Sequence, residues 1–175
     1  MILLINGSFG VGKTTVARLL RRRIAGSRIY NPEWTGSVLM RLPSFVRLEG
    51  AGTDDFQDIC FWRKSVVRGT KLFRALARET VIVPMAFSRR DYFDEIVGGM
   101  REFDERVEVF CLKAEMETIR QRLEQRGEKP GDDSWAVRKA RECLEAHRDE
   151  HFGEPVNTEN LSPDEVADEI LRRIG

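Results

Sequence analysis

The segment Gly7-Ser8-Phe9-Gly10-Val11-Gly12-Lys13-Thr14 constrains this chain more than any other. It fills every fixed position of the pattern G-x-x-x-x-G-K-[ST]. The apolar run Ile2-Leu3-Leu4-Ile5 precedes it, and Val16, Leu19, Leu20 and Ile24 follow at helical spacing. A run without alternation reads as a strand buried on both faces, so the glycine-rich turn joins such a strand to a helix. Glycines there let successive backbone N–H groups wrap a polyphosphate, and the helix beginning near Gly12 points its positive end at it. Residues Gly7 to Gly12, Lys13, Thr14 and Thr15 are therefore expected to bind a nucleoside triphosphate. Lys13 would reach its β- and γ-oxygens and the Thr14 hydroxyl would meet Mg²⁺. ATP and Mg²⁺ are the expected cofactors.

The strand–helix alternation continues. Arg28-Ile29-Tyr30 reads as a second short strand closed by Asn31-Pro32. Ile59, Trp62, Val66, Phe73 and Leu76 mark one face of a long helix, and Val81 to Met85 is a second fully apolar strand with its proline at the end. Phe93, Ile96, Val97 and Met100 trace another helix, Val107 to Leu112 a fourth strand, and about 114–126 a helix facing inward with Met116, Ile119 and Leu123. A breaker-rich loop over 127–133 leads to a helix face of Val137, Ala140, Leu144 and His147. Val156-Asn157-Thr158 and a final helix, capped by Ser162 and Glu165 with Pro163 at its first position, complete the pattern. This order predicts a three-layer α/β fold with a parallel sheet of about five strands. At 175 residues with 41% hydrophobic and 33% charged, the chain has the size and balance of one domain.

Several function classes drop out. Lys plus Arg equals Asp plus Glu at 29 each, so a general nucleic-acid binder, usually strongly basic, is disfavoured. Cys60, Cys111 and Cys143 lie far apart with no metal-ligand spacing and read as reduced thiols of a cytoplasmic protein. No run approaches the ~20 apolar residues of a membrane span, and the apolar start is too short for a signal peptide. The Val81–Met85 strand ends in Pro84-Met85-Ala86 with no carboxylate where phosphate-loop proteins usually place one, which weakens a motor or GTPase reading. Small-molecule kinases remain, and these place an acid after the second strand and arginines on a lid.

Glu33 follows the second strand and would project from the carboxyl edge, where ligands bind in open α/β sheets. It could organise Mg²⁺ or accept the acceptor's proton; a first-turn helix acid is the plainer reading. Asp54 and Asp55 could do the same job or simply cap the next helix. Trp34 and Arg63 are candidate acceptor contacts, Arg63 for an anionic group. Arg122 and Arg126 share one face of their helix, and Arg126 abuts the 127–133 loop, as a lid delivering cations to a transferring phosphoryl group requires. His147 and His151 read as structural.

With these residues assembled, the sequence resembles the tunicamycin-resistance proteins of bacteria, relatives of the nucleotide and shikimate kinases. The resemblance runs over nearly the whole chain. It is carried by Ile5 to Thr14, Asn31-Pro32-Glu33, Asp54-Asp55-Phe56-Gln57, Trp62-Arg63, Ile82-Val83-Pro84-Met85, Tyr92 to Ile96, Ser134-Trp135-Ala136 and Asn160-Leu161-Ser162. It implies ATP binding and resistance to tunicamycin, a uracil nucleoside bearing amino sugars and a fatty acyl chain. The lack of a strand-end acid is then a family trait. Longer relatives add an amphipathic basic tail suspected of membrane attachment; this chain stops at Gly175, so that route is not expected. The apolar stretch Val38 to Leu48 could receive an acyl chain or pack as core. The leading expectation is an ATP-dependent phosphotransferase acting on a tunicamycin-like nucleoside. A drug-sequestering protein without chemistry and a housekeeping small-molecule kinase are the alternatives.

Overall fold

The computed structural model describes residues 1–33, 55–127 and 134–175. Five parallel strands, β1 (Ile2–Gly7), β2 (Arg28–Ile29), β3 (Val81–Pro84), β4 (Val107–Lys113) and β5 (Glu154–Asn157), form one sheet in the order β2-β3-β1-β4-β5. The expected three-layer α/β architecture is therefore what the chain adopts. β1 lies at the centre, pairing Ile2 with both Val81 and Val107. Ile2, Leu3, Leu4 and Ile5 are completely buried, each contributing roughly 1.5–3 kcal/mol. Pro84 can end β3 because the next donor takes over: the Met85 N–H reaches the Ile5 carbonyl at 3.0 Å.

Helices cover both faces: α1 (Lys13–Arg23), α2 (Cys60–Leu76), α3 (Arg90–Arg101), α4 (Met116–Gln125), α5 (Trp135–Ala146) and α6 (Pro163–Ile174). Ile2, Leu4, Val81 and Val83 meet Trp62, Val66, Phe93 and Ile96 on one side. Leu3, Ile5, Ile82 and Phe110 meet Leu20, Ile119, Val137 and Ile170 on the other. Alternation along each strand thus feeds two cores from a single apolar run.

Three boundaries differ from the sequence reading. β2 is two residues long, although Tyr30 N–H still reaches the Ile82 carbonyl at 3.0 Å. α4 starts at Met116, not Ala114, because Glu115 is extended and its N–H is taken by the Glu159 carboxylate from beyond β5. α1 ends at Arg23, where Ile24 turns extended, three residues before Gly26. The capping box at Ser162 forms as expected.

Candidate functional site

Gly12 stands at φ +112 as the residue before α1, and a Cβ there would meet nothing within 4 Å, so the loop mouth is open. Lys13, only 6% exposed, donates from Nζ to the carbonyls of Gly7 and Ser8, both at 3.0 Å. Thr14 and Thr15 are exposed at the start of α1. The Ser8 hydroxyl is buried without any hydrogen-bond partner among the described residues. An unsatisfied buried hydroxyl and a buried lysine held by two carbonyls and the face of the Phe9 ring, with no acid bonded to it among the described residues, suit a loop that closes on an anion. These residues fit the triphosphate and Mg²⁺.

Strand β3 carries no acid at its end, yet a carboxylate is there. Glu33, arriving from beyond β2, accepts the Ala86 N–H at 2.7 Å through Oε1. Another segment thus brings a carboxylate to the end of β3, held by a backbone N–H. Gln57 fixes the same spot from the other side, its Nε2 donating to the Ala86 carbonyl at 2.9 Å.

Asp55 does cap, as the plainer reading held: its Oδ1 accepts the Gln57 N–H at 2.9 Å, opening the short 3-10 helix Phe56–Asp58. Its other oxygen lies 3.1 Å from Lys139 on α5. Partial burial works against the Lys139 charge, but bonds to Glu142 and Asp55 overrule it and push its pKa up. Lys139 escaped the sequence reading; its only local signal was Glu142 three residues on. Beneath these groups Cys143 is buried, which pushes its thiol up to about 12. The charges of Lys13, Glu33, Glu142 and Asp55 act on it more weakly than burial does.

Asn6 ties this place together. Its Oδ1 accepts N–H groups of Gly7 at 2.7 Å and Phe87 at 3.1 Å, and its Nδ2 donates to the Phe152 carbonyl at 3.0 Å. His147 donates from Nε2 to the Phe87 carbonyl at 2.7 Å, and burial pulls its pKa down to about 4. It is a neutral structural histidine, while His151 pairs with Asp94 at 2.5 Å.

The two arginines of α4 part company. Arg122 donates to the Val11 carbonyl at 3.0 Å and to the Thr158 hydroxyl and carbonyl at 3.0 and 2.7 Å. It therefore staples the phosphate loop to the segment after β5. Arg126 is exposed at the end of α4 and borders a cavity of about 430 Å³ with Val11, Thr15, Leu161 and Pro163. Arg63 is engaged by Glu95 and the Gln57 carbonyl, both at 2.6 Å, and lies over the Tyr92 ring. Phe9 packs edge-on against Trp135 at 4.9 Å. Trp34, Asp54, the 38–48 stretch and 128–133 of the expected lid lie outside the described residues. Among the described residues no cysteine is paired, no acid, histidine or cysteine cluster could hold a metal, and no helix is long and apolar enough to cross a membrane.

A family model described as an AAA domain matches residues 2–151. No curated protein sequence matches the chain. Among solved structures, a tunicamycin resistance protein from Deinococcus radiodurans is similar at 27% identity and TM-score 0.78, covering 99% of this chain and 95% of its own. A gluconokinase from Sinorhizobium meliloti follows at 18% identity and TM-score 0.63, covering 97% and 89%. A shikimate kinase from Acinetobacter baumannii, in complex with shikimate, shares 17% identity at TM-score 0.61, covering 99% and 92%. The last two are likenesses of fold. The resemblance to tunicamycin-resistance proteins and to phosphate-loop kinases stands, and a kinase-like fold of this type implies nucleotide binding.

Proposed function

We propose, from the premise that this chain belongs to the AAA-domain family, that it is an ATP-dependent phosphotransferase acting on a hydroxyl of tunicamycin or a related nucleoside. The observation that carries this reading is Glu33, whose carboxylate is set on the Ala86 N–H at the tip of β3, beside the strand that delivers Lys13. The D. radiodurans relative supplies the substrate class.

Bound ATP would supply the phosphoryl group, and Mg²⁺ would offset charge on its oxygens. Lys13, held now by the Gly7 and Ser8 carbonyls, would pair with the β- and γ-oxygens, and the Thr14 hydroxyl would help hold Mg²⁺. Glu33 accepts the proton of the acceptor hydroxyl as that oxygen bonds to phosphorus and the bond to ADP breaks. Asp55, with its oxygens divided between a cap and Lys139, positions the acceptor side. Arg126 adds positive charge from the end of α4, and Arg63, Trp34 and Arg122 complete acceptor and nucleotide contacts. The 430 Å³ cavity beside Arg126 suits the nucleoside half of ATP. The chain acts as one kinase-like unit with a lid over about 127–133.

Mass spectrometry of tunicamycin after incubation with Mg²⁺ and many equivalents of ATP tests this. The expected product is heavier by one phosphoryl group, forms with ADP, and vanishes in Glu33→Gln while ATP binding persists. Unmodified drug, with protection saturating at one drug per protein, would establish a sequestering protein instead.

A further inference from the structure

Helix α5 touches the phosphate loop and Asp55 from one face. Trp135 opens the helix and Lys139 follows one turn later, so the two side chains are neighbours on its surface. Trp135 packs edge-on against Phe9 of the phosphate loop, with 4.9 Å between ring centroids, and the Phe9 ring lies 5.3 Å from Lys13 Nζ. Lys139 Nζ lies 3.1 Å from an Asp55 oxygen. We propose that Lys139 is a positioning residue, which sets Asp55 through this ion pair and, through Trp135 and Phe9, makes that setting answer to nucleotide binding. Its effect on turnover rests on the phosphotransferase reading.

Two features separate this pair from an ordinary surface bridge. Both side chains are largely buried, at 14% and 12% exposure, so solvent screens their attraction little. Asp55 is also held from the other side: its second oxygen accepts the Gln57 N–H at 2.9 Å, and Gln57 Nε2 donates to the Ala86 carbonyl at 2.9 Å. The Ala86 N–H in turn holds Glu33. Lys139 therefore stands at one end of a run of bonded groups that finishes at the candidate base.

The phosphate loop stands at the other end of α5. Pairing Lys13 with phosphate oxygens draws its cation from the Phe9 face, and the ring loses that attraction and repacks against Trp135. Ser134 caps the helix by accepting the Val137 N–H at 3.3 Å, so the first turn is held and does not unwind when Trp135 is displaced. Displacement there reaches Lys139 one turn on. A bridge that only braced the fold would hold Asp55 equally well with and without nucleotide.

The test follows the Gln57 amide NMR resonance, whose N–H is bound by Asp55 itself, as a non-hydrolysable ATP analogue and Mg²⁺ are added to the full-length protein. Gln57 is expected to shift in the wild type. Trp135→Leu, which leaves the ion pair in place, and Lys139→Gln should each lose at least half of that shift while Gly7 to Thr14 still move, and Lys139→Arg should keep it. In kinetics, Lys139→Gln should raise the acceptor KM roughly tenfold with the KM for ATP unchanged, and Lys139→Arg should recover most of the loss. A wild-type Gln57 resonance indifferent to nucleotide, or equal shifts in Trp135→Leu and the wild type, would overturn the proposal. Wild-type protein that forms no phosphorylated drug would defeat the phosphotransferase reading alone, because the Gln57 shift needs only nucleotide.

Discussion

His147 shows how one buried side chain ties stability to pH. Burial holds its folded-state pKa at about 4, below the ordinary value of 6.5, while the unfolded chain protonates near that ordinary value. Above pH 6.5 both states are neutral and the contribution is fully present. As pH falls towards 4 the unfolded state alone takes up the proton and stability drops, by up to about 3 kcal/mol. Denaturant unfolding at pH 7.5 and 4.5 should show this loss, and His147→Gln should remove most of it at the expense of some stability at neutral pH. An unchanged slope in the variant would place the acid sensitivity elsewhere. Residue chemistry of this kind was only partly legible: His147 sits on the apolar face of its helix, which marks it as buried, but its partner is sixty residues away. The bonds of Asn6 to Phe87 and Phe152, of Glu33 to Ala86, of Asp55 to Lys139 and of Glu159 to Glu115 share that property. Each joins segments far apart in the chain, so no local spacing announces them.

Elements were easier to read, because the signal that makes them is local. Both faces of β1 are buried, which demands an unbroken apolar run, and the α6 start carries its capping box in four consecutive residues. β2 was legible too, marked by the Asn31-Pro32 stop, and only its last residue, Tyr30, falls outside the strand that pairs with β3. α4 separates two roles one helical turn apart. Arg122→Ala deprives Val11 and Thr158 of charged hydrogen bonds and should cost about 2–3 kcal/mol of stability, together with weaker ATP binding. Arg126→Ala, at an exposed helix end, should leave stability within about 0.5 kcal/mol and reduce turnover far more than ATP affinity. Chemical denaturation alongside steady-state kinetics resolves the two; matching profiles for both variants would refute the division of labour.

The whole molecule brings the phosphate loop and the Glu33 carboxylate to one edge of the sheet. β1 carries the phosphate loop, while its neighbour β3 presents the backbone that holds Glu33 and Gln57. Ligand binding there should therefore stabilise the entire fold. ATP with Mg²⁺ at one hundred times its dissociation constant should add about 2.7 kcal/mol, or roughly 5–10 °C in melting temperature. In Lys13→Ala the same concentration should add less than half as much, provided the unliganded variant melts as a folded protein. Equal shifts in both would remove the lysine from the phosphate site.

The perch of Glu33 also bears on how this site can drift through evolution. Ala86 contributes a main-chain N–H, which every residue except proline possesses, so selection on the acid bears on position 33 and on the path of the chain at 86. Side chains at the tip of β3 can vary while the carboxylate stays in place.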